Sequence, residues 1–109
     1  MSHADLLQGT LSMLILKVLN SRGTMHGYAI ANQIQMVTQE ILHVDEGSLY
    51  PALHRMEDRG WIRCYWGKSE NNRRAKYYEI TRLGLRQLDS ESRNWADLSL
   101  AIRRILELE

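Results

Sequence analysis

Apolar residues recur at helical spacing through the first half of the chain. From Asp5 to Asn20 they fall at Leu7, Leu11, Leu14, Ile15, Val18 and Leu19, one stripe with a period of about 3.6 residues. Ser21-Arg22-Gly23 ends this helix, since glycine suits the position past a last turn. Ile30, Ile34 and Val37 predict a second helix over Gly27–Val37. Thr38 to Val44 reads as a connection with Ile41, Leu42 and Val44 as apolar anchors. Asp45 then has the chemistry of an N-cap, and Glu46 places a favourable charge in the first turn. The third helix reads Gly47–Arg59, with Leu49, Leu53 and Met56 as its inner stripe and Gly60 as its end. Pro51 sits in its first turn, where a missing N–H matters little.

The texture then changes to a period of two. Trp61-Ile62-Arg63-Cys64-Tyr65-Trp66 and Lys76-Tyr77-Tyr78-Glu79-Ile80 are rich in strand formers, and the polar run Gly67 to Arg74 between them predicts a hairpin with a long tip. Thr81 is the expected N-cap of a last helix over Arg82 to Leu106, in which Gly84 is the single breaker. Leu88, Trp95, Leu98, Ile102 and Ile105 share one seam, with Glu91 as its polar gap. At about 1.5 Å per residue such a helix extends roughly 38 Å. The expected fold is mainly α with one small β-hairpin: a winged helix-turn-helix domain over residues 1–80, followed by a long C-terminal dimerisation helix over residues 81–109.

The chemistry on the third helix narrows the function. With Leu49, Leu53 and Met56 turned inward, Ser48, Tyr50, Pro51, Ala52, His54 and Arg55 are left for the outer face. A helix that reads DNA needs short polar, aromatic and basic groups there. The hairpin tip supplies a second feature. Lys68, Arg73, Arg74 and Lys76 stand against Glu70 alone, so the segment carries +3 while the whole chain carries only +1. A basic wing can follow the phosphate backbone or enter a minor groove.

Composition bounds the remaining classes. A chain of 109 residues forms one domain, or one small domain with an appendage, and leaves no room for a two-lobed enzyme with a deep cleft. A solitary cysteine, Cys64, excludes an intramolecular disulfide. No apolar run approaches the roughly 20 residues of a membrane span. Met1 to Asp5 lacks the pattern of a signal peptide, so a cytoplasmic location is expected. A metal sensor would draw on His3, His26, His43, His54 and Cys64, but none of these pairs has the tight spacing of a zinc site; no metal and no cofactor are expected. Cys64 reads as a small strand hydrophobe. No phosphate-binding glycine loop and no convergent carboxylates point to catalysis. A winged helix that binds only protein is the remaining alternative, and the basic wing argues against it.

At these residues the sequence resembles the PadR-family transcriptional regulators. The resemblance spans nearly the whole chain. Leu7-Gln8-Gly9-Thr10-Leu11, His26-Gly27-Tyr28, Glu46 to Leu53, Glu57 to Ile62 and Arg73 to Thr81 carry it, and the pairing of Leu-Tyr-Pro-Ala-Leu with Arg-Arg-x-Lys-Tyr-Tyr is specific. The single C-terminal helix is similar to the short-tailed branch, and Trp66 to Arg74 resembles the acidobacterial-type subgroup. The resemblance implies a homodimeric repressor without cofactor, bound to double-stranded DNA at a pseudo-palindromic operator and released by a small effector. It places Ser48, Tyr50, Pro51 and Arg55 on the DNA, with Arg73, Arg74 and Lys76 in the wing; the outer face of the third helix and the charge of the tip add His54 and Lys68. His26 and Tyr28 then lie where the second helix meets the backbone. Met25 departs from the proline that many relatives carry before His-Gly.

The last helix carries more apolar surface than a small body can cover. Leaving Trp95, Leu98, Ile102 and Ile105 in water exposes a contiguous patch, which monomers rarely do. A two-fold partner, with Leu7, Leu11 and Leu14 of the first helix and Leu88 of the last joining in, covers it. Trp95 has two readings. At a seam position a Trp is usually packing. In a multidrug-binding branch of the family the matching Trp sandwiches flat aromatic compounds, which makes Trp95 a possible contact for a small aromatic effector.

Overall fold

The computed structural model describes Leu7 and residues 9–109. His3, Asp5 and Gln8, which entered the readings above, lie outside the described residues. Helix α1 spans Leu11–Arg22, strand β1 Met25–His26, helix α2 Gly27–Val37, helix α3 Glu46–Asp58, strand β2 Ile62–Lys68, strand β3 Arg74–Ile80 and helix α4 Arg82–Leu106. A long C-terminal helix thus follows a winged helix-turn-helix body, as expected.

Burial of three stripes builds that body. Leu11, Ile15, Leu16 and Leu19 of α1, Ile30 and Ile34 of α2, and Leu49, Ala52, Leu53 and Met56 of α3 meet in one core with Ile62 and Tyr78 of the hairpin. Each fully buried large side chain contributes about 1.5–3 kcal/mol. Asp45 caps α3 as expected, its carboxylate accepting from the Ser48 N–H at 2.8 Å. Thr81 caps α4 by accepting from the Gly84 N–H at 3.0 Å, and its hydroxyl faces the Gly60 and Trp61 carbonyls at 2.6 and 3.0 Å. That residue therefore fixes the hairpin base and the start of α4 together. Gly84 lets the two approach: a Cβ there would overlap the Trp61 carbonyl oxygen.

Several boundaries differ from expectation. A turn at Gly9-Thr10 separates Leu7 from α1, which starts at Leu11 and runs on to Arg22 rather than ending at Asn20. Ile41 is 59% exposed and anchors nothing; Leu42 and Val44 alone of that trio pack on the core. Ala52, expected on the outer face, is buried, because its position falls between Leu49 and Leu53 on the inner stripe. The hairpin strands extend further than predicted and leave only Ser69 to Arg73 as the tip, closed by the Ser69 N–H donating to the Arg73 carbonyl at 2.8 Å. Strand β1 was not foreseen. It pairs antiparallel with β3, Met25 opposite Tyr78, and makes the sheet three-stranded in the order β1-β3-β2. Met25 is accommodated as a strand residue.

Helix α4 divides along its length. Gly84 and Leu88 are buried against the body. Glu91, the polar gap in the seam, accepts from the Ser12 hydroxyl at 3.3 Å and from the Gln87 amide at 2.8 Å, which ties α4 to α1. Beyond it, Trp95, Leu98, Ile102 and Ile105 are 50, 57, 49 and 66% exposed. Of the residues expected at a dimer interface, Leu7, Leu11 and Leu88 are already buried within the protomer and Leu14 is half-buried against its core. The described part measures 59 × 28 × 21 Å. Among the described residues, no helix is long and apolar enough to cross a membrane.

Candidate nucleic-acid interface

The inner and outer faces of α3 alternate as a helix requires. Leu49, Ala52, Leu53 and Met56 are buried, while Tyr50, Pro51, His54 and Arg55 are exposed and Ser48 is partly so. His54 Nε2 stands 3.7 Å from the Asp58 carboxylate one turn on. Tyr50 is held sideways against α2, where a Cβ at Gly27 would come within 3.1 Å of its ring. His26 caps α2 with Nδ1 accepting from the Ala29 N–H at 3.2 Å, which puts the neutral ring's proton on Nε2. Its ring stacks near Tyr28 at 6.4 Å and meets Tyr77 edge-on at 5.8 Å; Tyr77 in turn stacks on Tyr65 at 5.7 Å.

The wing changes character along one face. Residues two apart share a side of a strand, so the register places Ile62 with Ile80, Cys64 with Tyr78, Trp66 with Lys76 and Lys68 with Arg74 on the side that looks toward α3. Outward from the core, this face passes from aliphatic to aromatic to cationic. The Arg74 guanidinium lies over the Trp66 ring at 4.4 Å, a stack that holds a flexible side chain in place. Lys76 does not share the freedom of its neighbours: its ammonium stands 3.2 Å from Glu57 of α3 and 5.6 Å over the Tyr78 ring. Lys68, Arg73 and Arg74 are exposed and, among the described residues, make no ion pair.

Charge and burial at this junction act on each other. Burial works to raise the Glu57 carboxyl, but the Lys76 ammonium and the Cys64 thiol beside it outweigh that and hold it below its usual range. Burial likewise works against the Lys76 charge, and Glu57 reverses the effect and holds it up. Burial, with Glu57 next to it, pushes the Cys64 thiol up, so it is neither a ready nucleophile nor a ready ligand.

Between α3 and the wing lies a groove of about 870 Å³. The structure brings His26, Tyr28, Tyr50, His54, Arg74 and Lys76 to this groove. Ser48, Pro51 and Arg55 occupy α3 outside it, and Lys68 and Arg73 flank the wing tip. Trp66, Asn32 and Glu57 also line it and are not among the DNA-facing residues expected from the sequence. The strand alternation that sets Trp66 opposite Lys76 was legible there; the turn of Asn32 toward the groove was not. Among the described residues no three His, Cys, Asp or Glu side chains converge as metal ligands.

A second, more apolar groove of about 790 Å³ runs between α4 and the start of α1, lined by Leu7, Met13, Leu42, Trp95, Leu98 and Ile102 among others. Trp95 is therefore half exposed over an open apolar surface.

Solved structures share this arrangement. A transcriptional regulator from Clostridium thermocellum is similar at 29% identity and a TM-score of 0.85, covering 94% of this chain and 99% of its own. A PadR-like transcriptional regulator from Bacillus cereus is similar at 30% identity and a TM-score of 0.80, covering 96% and 99%. An uncharacterised protein of Lysinibacillus sphaericus is 29% identical over 98% of this chain and 97% of its own length. The model of the transcriptional regulator PadR-like family matches residues 15–90. With α3, the wing and most of the chain inside that match, the protein belongs to the PadR-like family of transcriptional regulators, which bind DNA and are not enzymes.

Proposed function

We propose that the protein is a homodimeric repressor that occludes a promoter and is released by a small, flat aromatic effector. The observation that carries the DNA reading is the groove between α3 and the wing, where Tyr50 and His54 of α3 converge with Arg74 of the wing. On this reading Ser48, Tyr50, Pro51, His54 and Arg55 enter the major groove. His26 and Tyr28 meet the adjoining backbone, and Lys68, Arg73 and Arg74 of the wing reach the phosphates or the minor groove. Residues 1–80 form the DNA-binding unit and residues 81–109 the pairing helix, whose first turns also complete the body.

Exposure of Trp95, Leu98, Ile102 and Ile105 supports pairing through α4, with the partner lying over the groove that Leu7 and Met13 floor. Two recognition helices about 34 Å apart then read a pseudo-palindromic operator. An aromatic compound seated on Trp95 at the dimer centre alters the spacing of the two α3 helices. A coupling of about 1–3 kcal/mol is enough to lower occupancy.

The test is binding of purified protein to the DNA upstream of its own gene, followed by fluorescence anisotropy with unlabelled competitor at two salt concentrations. Saturable, competitor-resistant binding of one dimer per site is the expected result. Binding that competitor and salt both abolish, on this and on neighbouring promoter fragments, overturns sequence-specific repression and favours a protein partner. Equal operator affinity across a panel of phenolic and planar aromatic compounds overturns the effector.

A further inference from the structure

We propose that Glu57 is a positioning residue for DNA recognition: its ion pair with Lys76 braces the last turn of α3 against the wing and keeps the Lys76 ammonium off the phosphates. The inference rests on the DNA reading above and assigns a role to one of the two carboxylates, Glu57 and Glu70, that line the groove beside Arg74 and Lys76.

The pair stands apart from the other ion pairs among the described residues. Its partners are 32 and 33% exposed, whereas His54–Asp58, Arg63–Glu79 and Arg93–Asp89 each have a partner above 70%. His54–Asp58 and Arg93–Asp89 lie within one helix and Arg63–Glu79 within the hairpin, so only Glu57–Lys76 joins α3 to the sheet. Glu57 Oε1 is shielded from solvent and makes no hydrogen bond of good geometry, so the Lys76 ammonium at 3.2 Å is its charge partner. Withdrawing Lys76 toward DNA would leave that shielded oxygen without its cation, which is unfavourable. Tyr78, 4% exposed and fixed in the core, backs the ammonium from the other side. The Lys76 ammonium is thus held by two neighbours, while Lys68, Arg73 and Arg74 make no ion pair among the described residues.

The geometric consequence concerns register on the duplex. Helix α3 and the wing address neighbouring parts of the DNA, so the gap between them must match its shape. Glu57 and Lys76 are the charged contact that spans that gap. A brace of this kind discriminates between correct and incorrect sites, whereas a phosphate contact strengthens all sites alike.

The test uses the full chain on its operator fragment, with Glu57→Gln, Lys76→Met, the double variant, Lys76→Arg and Arg73→Ala compared by anisotropy across a salt series. Circular dichroism checks that each is folded. If the brace exists, Lys76→Met leaves the salt slope near the wild-type value, while Arg73→Ala reduces it by about one unit. Glu57→Gln and Lys76→Met each lower the ratio of operator to competitor affinity roughly three- to tenfold, the double variant is no worse than either, and Lys76→Arg restores the ratio. A slope that drops by about one unit in Lys76→Met, with Glu57→Gln unchanged in ratio, overturns the proposal and makes Lys76 a phosphate contact. Variants that match wild type in both slope and ratio also overturn it. Failure of the DNA reading looks different: wild-type protein then shows no competitor-resistant binding at all, and the positioning role falls with it.

Discussion

The phenol ring of Tyr50 in the third helix packs against Gly27 at the start of the second, so closely that a Cβ on Gly27 would come within 3.1 Å of the ring. Two sequence motifs far apart in the chain thereby meet at one contact. Because Tyr50 is 45% exposed, its ring has somewhere to go when pushed. Gly27→Ala is therefore expected to shift stability by no more than about 1 kcal/mol, while operator affinity falls roughly tenfold, equivalent to about 1.4 kcal/mol. Thermal melts and anisotropy on the same preparation separate the two. A large loss of stability would instead make Gly27 a packing residue only.

Trp66 and Arg74 form the stack that orders the wing. Trp66→Leu keeps every charge but removes the platform, so binding should weaken by about 0.5–1 kcal/mol with little change in salt slope. Arg74→Ala should weaken binding and reduce the slope by about one unit. A salt series on both variants checks the contrast.

Gly84 meets the Trp61 carbonyl where α4 leaves the hairpin. The obstacle is backbone, held in place by Thr81, and cannot rotate away. Gly84→Ala should destabilise by about 1–3 kcal/mol or more, despite the better helix propensity of alanine. Chemical denaturation gives the number, and a variant as stable as wild type would show that α4 can slide along the hairpin.

Ile102 lies halfway along the exposed seam, 49% accessible. Ile102→Asp leaves the protomer core untouched but places a charge in the proposed pairing surface. Sedimentation should show a folded monomer whose operator binding is lost, because one α3 alone reads only a half-site. An unchanged dimer would move the interface off this seam.

The Glu57 carboxyl has a folded-state pKa below its unfolded value. Its contribution to stability is thus fully present above the ordinary carboxylate range and is lost as pH falls through the lower folded value. Urea midpoints measured from pH 7 downward should fall more steeply for wild type than for Glu57→Gln, the two curves converging at the acid end. Parallel curves would show that the pair adds nothing to stability.

Much of this was written in local chemistry. Asp45 and Thr81 marked helix starts because their side chains compete for orphan N–H groups within a few residues, an interaction the chain order alone determines. The outer face of α3 and the basic wing followed from periods of 3.6 and 2. On α3 Ala52 alone falls on the other face from the one expected, since a small side chain is tolerated on either.

What the tertiary structure decided involves residues distant in sequence. Strand β1 is two residues long and exists because β3 offers it a ladder, so no local propensity announces it. Leu7, Leu11 and Leu88 carry the same apolar signal as Ile102, yet the body covers the first three and leaves Ile102 open, because α4 outruns the body it packs on. Lys76 looks in sequence like any cation of a basic wing. Its pairing with Glu57, across 19 positions, arises only when the hairpin folds back over α3. Sequence period and capping chemistry determined the helices, the hairpin and the polar and basic chemistry of their outer faces; three-dimensional packing determined which apolar residues stay exposed and which charges are left free, because burial and ion pairing depend on neighbours that only the fold brings together.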